Sequence, residues 1–397
     1  MIDTIVLTLK TGMFTILDHD KFSPSTKGLY DASIGYYRLG GRSNITCKQN
    51  PTPNELKQGV YKPRLTVTKR INRERNFEIT LKIEFSIPKL LYGNNFDELT
   101  EADFPAVIQK LKIILREMGV YILEQHLIDA PVSSVHYSKN IALTDYTTPY
   151  TYFSQLNKLN INKRLDTNRT DFRNEGHSFK YRANSFEIVF YDKIKDLEQA
   201  KISEKRAEEE DNALQLNLFD VLTKQKPLEV LRVEIRLNRR QKINQILKKI
   251  GKEVEPTFTN IFSQDTAKKV LLHYISEIEE AYPPLLTYQY DSPKKFFSGF
   301  IRANHTTKLT QALKMLGLRV LLDEIGVREF REMTKHYGSS AWYSLNKEMK
   351  ALTKTDEPSV FSLLKEQVNK FEPLKLLAIQ DKMLNNVKYE RRKVLLY

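Results

Sequence analysis

Residues 2–10 (IDTIVLTLK) alternate apolar and polar side chains, the two-residue period of a strand with one buried face. The alternation is stronger over 76–87 (NFEITLKIEFSI). There Phe77, Ile79, Leu81, Ile83 and Phe85 share one face, and Glu78, Lys82 and Glu84 the other. Between these strands, 18–68 is rich in Asn, Pro, Ser and Gly and reads as loops. From 99 to 118 the period lengthens: Phe104, Val107, Ile108, Leu111, Ile114 and Leu115 recur at helical spacing. Thr100 or Asp103 is the N-cap, the latter placing Pro105 in the first turn.

A second, similar unit follows. Residues 132–143 (VSSVHYSKNIAL) read as a strand and 150–164 as a short helix. Segments 179–181 and 186–191 form a hairpin closed around Arg182-Ala183-Asn184-Ser185, and 230–237 (VLRVEIRL) alternates as another strand. A charged helical insertion over 195–227, with the run EKRAEEED, separates the last two strands. The pattern predicts an α+β domain over 1–254, with two related strand-helix-strand units in one sheet. After Pro256 the chain turns mostly helical, giving a second domain over 255–397. Within it, 310–338 reads as two short helices with a glycine-containing turn, followed by Trp342. That is the pattern of a DNA-binding helix-turn-helix, and equally of an ordinary helical bundle.

Composition narrows the field. The 397 residues carry 63 Lys and Arg against 49 Asp and Glu, a net charge of +14, which points to a polyanionic partner such as nucleic acid. The single cysteine, Cys47, excludes an intramolecular disulfide and any cysteine-rich zinc module. Glycine numbers 14, about half the count expected from average usage of about 7%, and no glycine-rich phosphate loop is present, so a nucleotide-driven enzyme is disfavoured. With no apolar run of membrane-spanning length and no leader pattern at the start, the expectation is a soluble, cytoplasmic protein that does not engage membranes.

Three residues offer chemistry. Tyr191 ends the strand SFEIVFYDK, facing with Glu187 and Val189, and Lys193 falls on the same face two residues on. A phenol beside an amine can attack a phosphodiester; the same pair can equally be a packed ring and a solvated lysine. Glu234 shares its strand face with Arg232 and Arg236. That trio can hold a divalent cation and DNA phosphates, or form a cross-strand salt-bridge ladder. His136 faces with Ser134, Ser138 and Asn140, where an imidazole can ligate metal or serve structure. Asp18-His19-Asp20 is a weaker cation candidate, in a loop.

At these residues the chain resembles the phage and plasmid replication initiators of the gene II/X class, the rolling-circle initiators of filamentous phages. The resemblance spans most of the chain. It rests on the opening MIDTIVLTL and on Ser86, Lys89, Leu91, Gly93 and Asn95 in a S-x-x-K-x-L-x-G-x-N pattern. The strand around His136, IVFYDK, VLRVEIRL and the helical tail with Trp342 complete it. It implies a fold of the HUH-like nickase type and origin-specific nicking of one DNA strand. Tyr191 would form the 5′-phosphotyrosine bond, with Lys193 as the nearby basic residue, Glu234 as the acidic ligand and Mg²⁺ or Mn²⁺ as cofactor. His136 stands where the filamentous-phage pattern has an aspartate. A phosphotyrosine link conserves the energy of the broken bond, so religation needs no nucleotide, in keeping with the missing phosphate loop.

Lys89, Arg232, Arg236, Arg239 and Arg240 are the expected DNA contacts, with further basic segments at 69–75, 248–249 and 391–393. Gln215-Leu216-Asn217-Leu218-Phe219 is similar to peptides that dock on the bacterial sliding clamp; the alternative is an amphipathic helix packed on the sheet. Expected partners are therefore origin DNA, the host clamp and the helicase or polymerase. The rival reading keeps the fold without chemistry, as an origin-binding repressor. A conjugative relaxase is disfavoured by the absence of a His-hydrophobe-His pair. A tyrosine recombinase is disfavoured because its nucleophile belongs in a helical domain.

Overall fold

The structure is a computed structural model that describes residues 1–30, 44–52, 54–55, 59–71, 77–143, 147–159, 171–173, 178–196, 229–287, 292–352 and 360–375. Its strands are β1 (Ile2–Lys10), β2 (Thr15–Ile16), β3 (Asn44–Gln49), β4 (Arg64–Ile71), β5 (Phe77–Ser86), β6 (Val120–Tyr121), β7 (Val132–Ala142), β8 (Asp171–Arg173), β9 (Ser178–Arg182), β10 (Phe186–Asp192) and β11 (Val230–Leu237). Nine of them build one antiparallel sheet in the order β3-β4-β5-β1-β7-β11-β10-β9-β8; β2 and β6 pair separately.

That order is a duplication. In each half the first strand lies innermost and the later strands add outward in reverse sequence order: β1 then β5, β4, β3, and β7 then β11, β10, β9, β8. The halves meet along the antiparallel β1–β7 pair. The two expected units are thus two topologically equivalent arcs of strands. β3 and β4 lie inside the stretch read as loops. Their alternating residues Cys47, Leu65 and Val67 are buried, but Pro51, Pro53 and Pro63 interrupt the run and conceal the period.

One sheet face is apolar. Ile5, Leu7, Leu9, Leu81, Ile83, Phe85, Val135, Phe190, Val233 and Ile235 are all buried. Helices Phe104–Glu117, Phe258–Ile261 and Gln264–Ala281 belong to the same hydrophobic core. The Phe258 ring meets Phe85 and Phe104 at 6.0 and 5.1 Å. The expected domain boundary at 254/255 falls just before this layer, where Val132 N–H donates to Pro256 O at 2.8 Å. The other sheet face is polar, as an antiparallel sheet allows when one side is packed.

Helix Pro149–Asn157 packs beside β9 and β10; the rest of its expected length, 160–164, lies outside the described residues. The 310–338 region is two helices joined at a glycine kink within Leu309–Met333, followed by a 3-10 turn over Lys335–Tyr337. Gly317 stays helical and the break comes at Gly326 (φ 74°). A Cβ at Gly326 would sit 3.1 Å from Lys158 Cα, and Val327 N–H donates to Lys158 O at 3.0 Å. The glycine therefore lets the kink press against the end of helix Pro149–Asn157. The charged insertion (197–227 of it), the clamp-like motif Gln215–Phe219, and 391–393 lie outside the described residues.

The sheet has one internal end to close. β1 begins at Ile2, so β7 runs past it and Asn140 N–H has no strand on that side. The Glu98 carboxylate fills the gap. It accepts from Asn140 N–H at 2.6 Å, from Leu374 N–H at 2.8 Å, and from the Lys139 ammonium. Burial pushes the Glu98 carboxyl upward, but Lys139 and these donors outweigh it and hold it below 4.5.

Glu98→Ala strands Lys139 in the core and is expected to cost about 3–5 kcal/mol, read by urea unfolding at neutral pH. Because the folded value is the depressed one, Glu98 stabilises above the ordinary carboxylate range. The gap between wild type and variant should close as pH falls through that folded value. A gap independent of pH would mean that Glu98 acts through packing instead.

Candidate metal and tyrosine site

The site begins with an irregularity in β1. Ile5, Leu7 and Leu9 point into the core, so strict alternation would send Asp3 inward too. The β1–β7 register shifts between Ile2 and Ile5. Ile2 is buried instead, and the Asp3 carboxylate turns to the polar face. There it meets His136 of β7 and Glu234 of β11, with one ligand atom from each residue lying within 4.8 Å of the others.

Cross-strand register assembles the rest. Tyr191 lies opposite Arg232 and diagonal to Glu234. Its hydroxyl donates to Glu234 Oε2 at 3.4 Å, a long hydrogen bond. Glu234 Oε1 accepts from Arg236 Nε at 2.8 Å and lies 3.4 Å from His136 Nδ1. Arg232 is buried; its Nη1 donates to Asn95 O at 2.7 Å and its Nη2 to Ser138 Oγ at 3.1 Å. Arg232 Nη2 also sits 2.7 Å from Asp3 Oδ1, but off the hydrogen-bond line, so that buried oxygen has charge compensation without a directed donor.

Lys193 reaches Tyr191 by a route the alternation did not foresee. The strand stops at Asp192, whose Oδ1 accepts from Ile194 and Lys195 N–H, both at 3.0 Å, and starts a helical turn. The turn buries Lys193 completely. Its Nζ donates to Asn95 Oδ1 at 3.0 Å and Asp196 Oδ2 at 3.2 Å, and stands 5.6 Å from the Tyr191 ring centroid. Asn95 is delivered by helix Ile87–Tyr92, which ends on Gly93 in the left-handed conformation (φ 73°).

Burial dominates the electrostatics. It pushes the Tyr191 phenol well above 10, with Arg232 pulling the other way. It lowers the Lys193 ammonium from 10.5 to about 8. Burial would also raise Glu234, but Arg236, His136 and Arg232 hold it well below 4.5, as a carboxylate.

Of the other expected residues, Arg236 is half-buried between Glu234 and Glu187, 3.4 Å from the latter. Arg239 is exposed just beyond β11, and Arg240 pairs with Glu255 at 2.9 Å on the surface. Lys89 is half-buried on helix Ile87–Tyr92. In Asp18-His19-Asp20, Asp18 Oδ1 accepts from Asp20 N–H at 3.2 Å, His19 bonds Thr26, and the Asp20 carboxylate bonds Ser25 and Lys27. Tyr137 and Tyr181 donate to Ile261 O and Leu156 O on the covered face and so cannot assist Tyr191.

Two carboxylates and an imidazole are a donor set for Mg²⁺ or Mn²⁺, with the imidazole suiting Mn²⁺. The residues fit such an ion: their donors converge, and Asp3 Oδ1 is buried with no directed hydrogen bond. Sequence reading missed Asp3 because the strand looked regular. Wild type should bind Mn²⁺ saturably by electron paramagnetic resonance, and Asp3→Asn should weaken binding at least about tenfold. Absence of saturable binding would identify the cluster as a salt-bridge ladder alone.

No known protein family, characterised protein or solved structure matches the chain.

Proposed function

We propose that this protein is a rolling-circle replication initiator, a metal-dependent DNA nickase and strand transferase in which Tyr191 is the nucleophile. The observation that carries the reading is one phenol, hydrogen-bonded to a carboxylate of a potential cation trio and flanked by the Arg232 guanidinium and the Lys193 amine. Each group has a part. Tyr191 Oη attacks the scissile phosphorus; the new P–Oη bond replaces the bond to the 3′ oxygen, which leaves as a 3′ hydroxyl. The phenol gives up a proton and the leaving oxygen gains one, so the step is proton-neutral. Glu234 Oε2 is the nearest acceptor for the phenol proton. Arg232 and Lys193, fixed through Asn95, face the charge that grows on the phosphoryl oxygens. Asp3, His136 and Glu234 would hold the divalent cation, which when bound supplies Lewis-acid stabilisation of that charge. Reversal, with a 3′ hydroxyl attacking the phosphotyrosine, recloses a strand without nucleotide.

The rival is a DNA-binding protein without cleavage, and the Arg236–Glu234–His136 contacts favour it as a pre-neutralised ladder. One assay separates them. Supercoiled plasmid carrying the cognate origin, with Mn²⁺, should yield nicked circles and a covalent protein–DNA adduct. Tyr191→Phe should abolish both, a loss of at least about a thousandfold, since Tyr137 and Tyr181 spend their hydroxyls on the covered face. Equal products from wild type and variant refute Tyr191 as nucleophile. Binding with no nicking by wild type supports the rival.

A further inference from the structure

The half of the sheet without the tyrosine has a polar face of its own, and its composition differs. Cross-strand register lines up Thr8, Lys82, Thr66 and Lys48 in one row across β1, β5, β4 and β3. Lys48 and Lys82 are exposed and the two threonines half-buried. Lys10 is exposed on the same face one row further on. The carboxylates of this face each have an arginine opposite: Glu84 faces Arg64, and Glu78 bonds Arg70 at 2.8 Å. Among the described residues no ion pair engages Lys10, Lys48 or Lys82. The face therefore presents ammonium groups interleaved with hydroxyls.

We infer that this face of the first half is a track for single-stranded DNA, held by its phosphates, that carries the strand flanking the scissile bond away from Tyr191. Lysine and threonine are the side chains that contact phosphate oxygens and read no bases, and the row has no aromatic platform or amide to read them. The geometry suits a flexible strand. From Glu234 to Lys82 the sheet is crossed by three strand steps of about 4.8 Å. Glu234 pairs with Ser138, four residues along β7 from Ser134, which is level with Val6 and Glu84, so Lys82 is offset by about six residues, about 20 Å, along the strands. The separation is about 25 Å, roughly seven stacked nucleotides at about 3.4 Å each. The row lies toward the end of the sheet where β11 leaves Arg236 and Arg239, with Ser134 of β7 and Thr8 of β1 on the strands between.

The inference rests on the nickase reading, and its test keeps the two apart. Fluorescence anisotropy with labelled thymidine oligomers, longer and shorter than about seven nucleotides, is measured over a salt series. The proteins are wild type, Lys48→Ala plus Lys82→Ala, and a charge-matched control, Lys110→Ala plus Lys269→Ala, on helices remote from that face. The track variant should bind the longer oligomers about tenfold more weakly at low salt. Its slope of log affinity against log salt should be shallower by about 1.4, two phosphates at about 0.7 each, and the control should lose less on both counts. Lys48→Arg plus Lys82→Arg should restore the slope. An unchanged slope, or an equal loss in the control, overturns the track even where wild type forms the phosphotyrosine adduct. A lysine-dependent slope in a wild-type protein that forms no adduct keeps the track and removes the nickase.

Discussion

A carboxylate in the middle of a nine-stranded sheet governs this half of the molecule. Glu234 is 1% exposed, and an ionised group at that depth is tolerated where opposite charge and hydrogen bonds surround it. The neighbouring strands supply them: Arg236 two residues on, His136 across β7, and Arg232 two residues back. Those cations need compensation in turn, which Asp3 gives to Arg232 and Glu187 to Arg236. The polar face thus reads as a chain of consequences from one buried charge, and Tyr191 sits where the chain meets β10.

The same logic explains why the segment after β5 matters. Arg232 and Lys193 are buried cations whose remaining donors require oxygen. Asn95 provides its backbone carbonyl to one and its side-chain carbonyl to the other. One residue on, Phe96 O accepts from Asn140 Nδ2, and Glu98 then closes the open edge of β7. One short stretch therefore finishes the sheet and fixes the two cations nearest the tyrosine. Its left-handed turn at Gly93 makes both possible, which gives a physical reason for the S-x-x-K-x-L-x-G-x-N spacing that does not depend on kinship.

How much of this was legible in the sequence follows from what each feature depends on. The strands at 2–10, 132–143, 186–191 and 230–237 declare themselves by period two, and that period alone places Glu234 with Arg232 and Arg236. The hairpin over 182–185 is local turn chemistry and was equally readable. Asp3 was not, because a bulge is a relation between two strands and leaves no mark in either one. Lys193 was reached for the wrong reason: alternation put it near Tyr191, whereas an Asp192-capped turn does so. β3 and β4 were hidden by prolines that bound the strands without entering them.

The duplication sharpens the division between chemistry and grip. Both arcs use the same order of strands and bury one face in the same core, so each inherits a free polar face. On the second arc that face collects a tyrosine, a histidine and buried charges, an arrangement that costs stability and is retained where it does something. On the first arc the face has threonines and exposed lysines, which cost nothing to solvate and attract a polyanion at long range. A buried, paired guanidinium such as Arg232 contributes little to capture from solution, and an exposed lysine contributes little to stabilising a phosphorane. The nickase proposed above would need both, and a sheet of two arcs allows each to be met on its own surface without compromising the other.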